Sequence, residues 1–424
     1  MSTTINNSCT PKKVLAVDFE FSGHHPAYIE NIARIWSQSN INHSIEFLLC
    51  NRFKELHNNI VKNIKDLSDP KVTLRFISKD EESLLANPKS KYWNAWKLFC
   101  KYAIESKVSD GLILFLDLFQ LSIWLGQKSP VPFSGIYFRP TFHYGLYQGF
   151  RPTVRDRLVG WRKAFLLQRV LKKPQLMNLL SVDSTAVPYI REHFSTSARI
   201  AHFPDSFDRQ APSDQEATEL KTKLGIEPGR MVFCLIGVLD NRKGPMQLLN
   251  AIRHLPDDVA QKICILLAGR TAEGLREQVV DAVLKLKSYS KSQVVLHDKY
   301  IPPSKILTYY KISDVILTTY QFHKGSSSAL IHAAHENKPV LSSDYGWLGH
   351  IVRTYSLGID IESNDSVAIA NGITKFARSD PSTFLNQSRA SELLSENSQE
   401  KLAMELTRLV CPTPSNTLIA DENA

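Results

Sequence analysis

Short apolar runs alternate with stretches of helical composition along most of the chain. Continuous apolar runs of this kind are typical of strands that are buried on both faces of a parallel sheet. In the N-terminal half these runs are Lys13–Asp18, Ile45–Leu49, Val72–Ile77, Gly111–Leu116, Ser134–Phe138 and Leu179–Val182. In the C-terminal half they are Met231–Ile236, Ile263–Ala268, Gln293–Leu296, Asp314–Leu317, Pro339–Leu341 and Gly358–Ile361. The pattern predicts an α/β protein with two doubly wound parallel sheets.

A segment with little apolar periodicity separates the two series of strands. It runs from Asp205 to Gly229 and is rich in Pro, Asp and Ser, as turns and linkers are. A chain of 424 residues is long enough for two domains of roughly 200 residues each. We therefore predict an N-terminal Rossmann-like domain over residues 1–205 and a C-terminal one over residues 206–411. Residues 412–424 are predicted to be a disordered tail.

Two loops that follow predicted strands carry glycine together with cationic or histidine side chains. Ligands of open α/β sheets bind beyond the carboxyl ends of the strands, so these loops are candidate binding sites. Gly23 and His25 follow the first strand of the chain. Gly237 follows the first strand of the second half, and Arg242 and Lys243 come directly before its helix. Glycine permits close approach of the backbone, and the two cations can neutralise phosphate groups.

A third loop, Gly325-Ser326-Ser327-Ser328, precedes a short predicted helix from Ala329 to Glu336. Its small residues allow backbone N–H groups to approach an anion. The start of the helix adds free N–H groups and the positive end of the helix dipole. We expect a diphosphate to bind here. An ordinary serine cap on a core helix is the alternative interpretation.

The cysteines and the N-terminal segment indicate a cytoplasmic protein. Six cysteines are scattered without a C-x-x-C pair, which favours free thiols over disulfides or a zinc site. No run reaches the roughly 18 apolar residues of a membrane-spanning helix. The segment before Lys13 also lacks the apolar core of a signal peptide.

The positive charge is concentrated in one segment, Arg151 to Lys173. Its eight cations and single acid account for seven of the nine net positive charges of the chain. Apolar residues between them, Trp161 and Phe165 included, indicate a basic amphipathic helix that can lie on an anionic membrane surface. The protein would then be peripheral at the inner face of the membrane. The alternative is a domain-packing helix with a solvated basic side. No nucleic acid partner is expected, because no binding module accompanies the charge.

The loops of Gly23, Gly237 and Gly325, taken in chain order, resemble those of the GT-B glycosyltransferases. Among these enzymes they resemble the retaining family 4, glycosyltransferase group 1. Gly237 followed by the Lys243-Gly244 pair resembles the opening of the family's second domain, where the lysine contacts the donor diphosphate. Gly325, then Lys338-Pro339-Val340 and Ser343-Asp344-Tyr345-Gly346, resembles the family's later motif. The resemblance is clearest from about residue 231 to residue 361.

The N-terminal half resembles the family more loosely, through Gly23 and through Phe142-His143. The resemblance implies GT-B architecture, in which two Rossmann-like domains face a central cleft. The N-terminal domain would bind the acceptor and the C-terminal domain the nucleotide-sugar. His143, with His25 as a second candidate, would line the acceptor side of the cleft. Together with Lys243 they are the predicted catalytic residues.

Two positions depart from the family pattern. The family has two glutamates with seven residues between them, one contacting the donor sugar and one the ribose, and these positions hold Lys324 and His332. We expect His332 to hydrogen-bond ribose hydroxyls. Lys324 cannot accept a hydrogen bond and is expected to pair with a phosphate or an acidic sugar. Val238 also replaces a family arginine, and Arg242 is expected to supply that charge.

The resemblance implies a glycosyltransferase that moves a sugar from a UDP- or GDP-sugar to an acceptor hydroxyl, with retention. Glycolipid, polysaccharide or other glycoconjugate synthesis is the expected setting. No cofactor is expected. No metal is expected either, because the predicted cleft loops lack an Asp-x-Asp pair and His332 with His335 lacks further zinc ligands. Two alternatives remain: a catalytically degenerate GT-B binding or regulatory protein, and a GT-B nucleotide-sugar epimerase.

Overall fold

The computed structural model describes residues 11–39, 41–206 and 211–410. Its N-terminal strands are Lys13–Val17 (β1), Ser44–Leu49 (β2), Val72–Phe76 (β3), Asp110–Ile113 (β4), Phe133–Tyr137 (β5), Leu176–Ser181 (β6) and Arg199–His202 (β7). Among the described residues they form one parallel sheet in the order β3-β2-β1-β4-β5-β6-β7.

Helices connect these strands. They are His25–Gln38 (α1), Asn51–Leu56 (α2), Asn58–Asp66 (α3), Lys79–Ser83 (α4), Lys91–Glu105 (α5), Leu116–Leu125 (α6), Val154–Leu171 (α7) and Ala186–His193 (α8), with a 3-10 turn at Tyr144–Leu146. The first turn of α1 contains Pro26, whose fixed φ suits the start of a helix. Ser78 and Glu81 form a reciprocal capping box at α4.

The C-terminal half forms a second parallel sheet. Its strands are Met231–Ile236 (β8), Ile263–Ala268 (β9), Gln293–His297 (β10), Val315–Thr318 (β11), Val340–Ser343 (β12) and Gly358–Ile361 (β13). Within the part of the chain that the structure describes, their order is β10-β9-β8-β11-β12-β13. Every residue of β9 is buried, as a strand covered on both faces requires.

The helices of this half begin with Asp214–Lys223 (α9), which Ser213 and Glu216 cap reciprocally. The others are Pro245–Ala251 (α10), Asp257–Ala260 (α11), Arg276–Tyr289 (α12), Ile306–Lys311 (α13), Ser328–His335 (α14), Gly346–Tyr355 (α15), Ser366–Ala377 (α16), Gln387–Glu396 (α17) and Gln399–Val410 (α18). Short 3-10 helices lie at Asn241–Lys243, Ile252–His254, Glu273–Leu275, Pro303–Lys305 and Pro381–Phe384.

The prediction of two doubly wound parallel sheets is confirmed, and the differences are local. Every predicted apolar run overlaps a strand. The run Gly111–Leu116 was predicted too long, because the strand ends at Ile113 and α6 begins at Leu116. Strand β7, which pairs with β6, was not predicted, because it is only four residues long and of mixed composition. The predicted tail, Cys9 and Cys411 lie outside the described residues.

The chain divides into two compact units whose limits differ from the predicted domains in two places. The first unit comprises the described parts of residues 1–140, 162–207 and 398–424; the second comprises those of residues 141–161 and 208–397. Residues 141–161 join the second unit because Tyr144 and Tyr147 are buried in the hydrophobic core of its sheet. The last helix, α18, packs on α1 of the first unit. We call them the N-terminal and the C-terminal unit.

Candidate functional site

The strand order of the C-terminal sheet changes direction between β8 and β11, which pair directly. Such a topological switch point leaves a crevice beyond the carboxyl ends of the two strands, where α/β sheets bind ligands. The loop of Gly237 and Lys243 follows β8, and the loop of Gly325 follows β11. A hydrogen bond of 2.6 Å from Gln321 N to Arg242 O joins these two loops.

Three backbone features shape the loop after β8. Gly237 has φ +106°, which favours glycine, and a Cβ there would lie 2.9 Å from Lys243 Nζ and crowd the ammonium. Asp240 caps the following 3-10 helix, since its Oδ1 accepts from Lys243 N at 2.9 Å. Gly244, with φ +71°, then turns the chain into α10, which begins at Pro245. The loop thereby directs Lys243 back over the end of β8.

Lys243 is a buried cation, with 9% of its surface exposed. Its Nζ donates to Ile236 O and to Tyr320 Oη, both at 2.6 Å, and lies 4.4 Å from the centre of the Tyr320 ring. Among the described residues no carboxylate pairs with it. A buried charge is costly without an opposite charge, so this site is suited to an anion.

Arg242 lies beside this ammonium and is more exposed. Its guanidinium is 5.5 Å from the centre of the Tyr320 ring, and its Nε is 3.6 Å from Asp240 Oδ2. An exposed ion pair of that length is weak. The side chain can therefore turn towards a ligand at little cost.

Buried polar atoms collect at the end of β11. Thr318 Oγ1, Thr319 Oγ1 and Gln321 Oε1 have no hydrogen-bond partner among the described residues. The Gln321 amide nitrogen donates to Thr319 O and to Ser363 O, which fixes the side chain. Unsatisfied buried polar atoms are uncommon in folded proteins, and a bound ligand or an ordered water can satisfy them.

The helix α14 presents its first turn without a side-chain cap. It begins at Ser328, and the side chain of Ser327 at the N-cap position accepts no hydrogen bond from the helix. Gly325 has φ +123°, and no atom lies within 4 Å of the position of a Cβ there. Free N–H groups and the helix dipole favour a phosphate at such a terminus. Of the predicted amides, that of Ser328 lies in this first turn, and those of Ser326 and Ser327 directly precede it.

His332 lies in the second turn of α14 and is half-buried. Its ring packs edge-on against Tyr310, with 5.4 Å between the ring centres. Its contact with ribose stays a prediction.

Lys324 is paired within the protein. Its Nζ forms an ion pair with Asp156 Oδ1. Thr153 holds this carboxylate from the other side, donating to Oδ2 through its backbone N at 3.0 Å and its Oγ1 at 2.8 Å. Burial would raise the pKa of Asp156, but the hydrogen bonds from Lys324 and Thr153 outweigh burial and lower it. We predicted that Lys324 pairs with a phosphate or an acidic sugar. In this structure the carboxylate of Asp156 takes that place, and the contact with a ligand stays a prediction.

His143 is buried in an aromatic cluster, with 2% of its surface exposed. Its Nε2 is 2.8 Å from Tyr147 Oη, and its ring meets that of Tyr144 edge-on at 5.0 Å between centres. Tyr147 in turn stacks on His350 at 4.3 Å. In this structure the ring anchors residues 141–147 in the C-terminal unit, and a role at the acceptor stays a prediction.

In the N-terminal unit, the loop after β1 contains a histidine–carboxylate pair. His25 Nδ1 lies 2.7 Å from Asp18 Oδ2, and the His25 ring stacks on Phe115 at 3.6 Å. Burial raises the pKa of Asp18, and His25 offsets only part of that effect. Gly23, with φ +65°, turns the chain into α1. This loop also lies at a switch point, because β1 pairs with both β2 and β4.

Sequence reasoning missed three residues of these sites: Tyr320, Asp156 and Asp18. Only their contacts in the folded chain show that they belong to these sites. Tyr320 contacts Lys243, Asp156 contacts Lys324, and Asp18 contacts His25. The position of Asp18 at the end of a predicted strand was the available signal. Among the described residues, no group of three or more His, Cys, Asp or Glu side chains is arranged to hold a metal ion.

Comparison with known proteins agrees with this fold. Residues 216–397 match the family model of glycosyl transferases group 1. The structure superposes on that of Anabaena HepE, solved in complex with UDP and glucose, with a TM-score of 0.65, 12% identity and coverage of 95% of this chain and 100% of that one. The chain has the GT-B glycosyltransferase fold.

Two further similar proteins are informative. Sucrose-phosphate synthase from Thermosynechococcus elongatus gives a TM-score of 0.65 at 14% identity, over 94% of this chain and 98% of that one. D-inositol 3-phosphate glycosyltransferase from Corynebacterium jeikeium is 22% identical over 217 residues, which are 50% of this chain. The chain thus spans about half the length, 51%, of this curated relative. The predicted resemblance to group 1 glycosyltransferases is confirmed.

Proposed function

We propose that the protein is a glycosyltransferase that moves a sugar from a nucleotide-diphospho-sugar to a hydroxyl of an acceptor. The observation that carries the proposal is Lys243, a buried ammonium without a carboxylate partner among the described residues. It lies at the switch point of the C-terminal sheet, whose neighbouring loop leads into the uncapped start of α14. A diphosphate supplies the negative charge that both features favour.

The chemistry follows from where charge develops. The bond between the sugar C1 and the diphosphate oxygen breaks, a bond from C1 to the acceptor oxygen forms, and the acceptor proton passes to the leaving diphosphate. Lys243, Arg242 and the Gly325 to Ser328 amides stabilise the charge that grows on the diphosphate. Proton transfer to the leaving group needs no protein base and places the acceptor on the face that the leaving group vacates. We therefore propose retention of configuration.

We propose a UDP-sugar as the donor, because HepE was solved with UDP and glucose. A thermal-shift panel of UDP-, GDP- and ADP-sugars tests this choice, since a ligand of the folded state raises the melting temperature. UDP-sugars should give the largest shift, and Lys285→Met, at an exposed site on α12, should not alter it. If no nucleotide-sugar shifts the transition, the proposed function is wrong.

Turnover separates the remaining alternatives. Donor binding without transfer to any acceptor would indicate a degenerate binding protein. Conversion of the donor sugar without an acceptor would indicate an epimerase. Release of the nucleotide only when an acceptor is present is the result that we expect.

We further propose that α7 docks on an anionic membrane surface, so that the acceptor is lipid-linked. Val154, Leu158 and Trp161 are 75%, 63% and 68% exposed and share one face of α7, at positions i, i+4 and i+7. Arg162 is also exposed. An exposed apolar stripe flanked by cations suits the headgroup region of a bilayer. Among the described residues, no helix combines the length and the hydropathy needed to cross a membrane.

The amphipathic side of α7 is shorter than the sequence indicated. Leu167, Val170 and Leu171 are buried in the protein, and Arg169 lies 4.8 Å from the centre of the Phe165 ring. Only the first two turns and the middle of the helix therefore offer apolar side chains to a bilayer.

Vesicle sedimentation tests the membrane contact. The wild-type protein should bind vesicles with anionic lipid, should ignore neutral vesicles, and should dissociate at high salt. Leu158→Ser combined with Arg162→Glu should abolish binding. The matched control is Leu284→Ser with Lys285→Glu, an exposed pair on α12. Equal loss in both double variants, or no binding by the wild type, would favour a soluble acceptor.

A further inference from the structure

A cavity of about 440 Å³ lies within the C-terminal unit, along the first half of α7. Three aromatic side chains, Phe142, Phe150 and Trp161, line it together with three charged ones, Asp156, Arg157 and Lys324. Cavities of this volume are typical of small-molecule sites, which combine apolar walls with a few polar groups. Lys324 is the residue before Gly325, so the cavity borders the loop proposed to hold the diphosphate.

The apolar wall includes an aromatic ring that neighbouring rings hold in place, and it leaves room for a ligand ring. Phe150 packs on Tyr345, with 4.9 Å between ring centres, and edge-on against Tyr144 at 5.7 Å. Gly160 also lines the cavity, although glycine is unfavourable in the interior of a helix. Any larger residue at that position would occupy part of the space. The C–H faces of a sugar or polyol ring pack well against aromatic side chains.

The charged wall includes a cation that has no ion-pair partner among the described residues. Asp156 is fully engaged, since Lys324 pairs with its Oδ1 and Thr153 donates twice to its Oδ2. The side chain of Arg157 is exposed and makes no hydrogen bond or ion pair with the described residues. Two cations therefore face one carboxylate, which leaves a surplus positive charge. The planar guanidinium matches a carboxylate or a phosphate group through paired hydrogen bonds.

We propose that this cavity is the acceptor subsite and that it takes a sugar or polyol ring carrying a phosphate or carboxylate group. The ring packs on the aromatic wall, and the anionic group binds Arg157 beside Lys324. The role of the cavity as an acceptor site rests on the proposed transferase function. Its preference for an anionic ring rests on the residues that line it. The acceptor then meets the donor next to the leaving diphosphate.

Three probes that share one pyranose ring test the preference: glucose 6-phosphate, glucuronate and glucose. Their dissociation constants are measured by ligand-observed NMR on the full chain. Both anionic probes should bind wild type about tenfold or more tightly than glucose. Arg157→Gln should remove that difference. Arg155→Gln, an equally exposed arginine of α7 that does not line the cavity, should leave it unchanged. Equal binding of the three probes by wild type, or equal effects of the two variants, would overturn the proposal.

UDP-glucose titrations keep this test separate from the proposed function. Arg157→Gln should bind UDP-glucose as wild type does and should melt at the same temperature. If wild type binds no nucleotide-sugar but still prefers the anionic probes, the transferase function is wrong and the cavity is not an acceptor site. The cavity would still be an anion-binding site. Competition between UDP-glucose and glucose 6-phosphate would assign the cavity to the donor sugar and overturn the acceptor subsite.

The same anionic ring can come from a soluble sugar phosphate or from a lipid headgroup. Short-chain phosphatidylinositol, compared with glucose 6-phosphate, distinguishes these sources. Tighter binding of the lipid that depends on Arg157 would assign a lipid headgroup, and tighter binding of glucose 6-phosphate would assign a soluble acceptor. Binding of either probe that does not depend on Arg157 would overturn the site.

Discussion

Replacing Lys243 by methionine tests the proposed donor site most directly. Methionine keeps an unbranched apolar stem, so Lys243→Met removes the charge without opening a large cavity. The change removes two hydrogen bonds, to Ile236 O and to Tyr320 Oη, each 2.6 Å long. It also removes a buried ammonium that lacks a carboxylate partner among the described residues.

The effects on stability and on binding should differ. Leaving the two acceptors unpaired costs about 1–3 kcal/mol each, and removing an unpaired buried charge recovers several kcal/mol. We expect these terms to offset, so that the free energy of unfolding changes by less than about 2 kcal/mol. Loss of a charge-assisted contact with the diphosphate should weaken donor binding by about 1.5–3 kcal/mol, or roughly 10- to 150-fold. Because charge grows on the leaving diphosphate, kcat should fall by a further factor of about 100 to 1000.

Calorimetric titration with the UDP-sugar that binds wild type most tightly gives the free energy of donor binding. Urea unfolding gives the free energy of unfolding, and steady-state kinetics give kcat. Lys285→Met provides the control for loss of one lysine charge in the same unit. Wild-type donor affinity in Lys243→Met, together with a kcat within about threefold of wild type, would refute the role of this ammonium. A large loss of stability would show instead that its two hydrogen bonds mainly hold the fold.

Two further predictions concern the β8 loop and acid stability. Gly237→Ala should cost about 1–3 kcal/mol in urea unfolding and should weaken donor binding, because its φ is +106° and its Cβ would lie 2.9 Å from Lys243 Nζ. Gly274→Ala, where no atom lies within 4 Å of the new Cβ, should change neither. Burial would raise the pKa of Glu81, but hydrogen bonds from Lys101, Tyr102 and Ser78 lower it from 4.5 to about 2. Since the folded pKa is depressed, the ionised carboxylate stabilises the fold above pH 4.5, and that stabilisation disappears as the pH falls towards about 2. Glu81→Gln should therefore be less stable than wild type at pH 7 and equal to it near pH 2, whereas a constant difference would contradict the assignment.

The amino-acid sequence by itself determined the fold class and the position of the loops that we propose to bind the donor. Continuous apolar runs such as Ile263–Ala268 can be buried only inside a sheet that is covered on both faces, and the structure shows that strand buried throughout. Glycine and cations directly after such runs, as at Gly237 and Lys243, then lie at the carboxyl edge of the sheet whatever the packing elsewhere. These features are local, because they depend on residues only a few positions apart.

Contacts between residues that are distant in the chain were decided by the tertiary structure alone. Lys324 meets Asp156 across 168 positions, and Lys243 meets Tyr320 across 77. Residues 141–161 follow an N-terminal strand, yet Tyr144 and Tyr147 pack into the C-terminal core. The periodicity of a segment shows that it has an apolar face but not which surface covers that face, because packing selects among many surfaces of similar hydrophobicity. For this reason the sequence showed a basic amphipathic α7, and only the folded chain showed that its first half borders a cavity while Leu167, Val170 and Leu171 of its second half are buried.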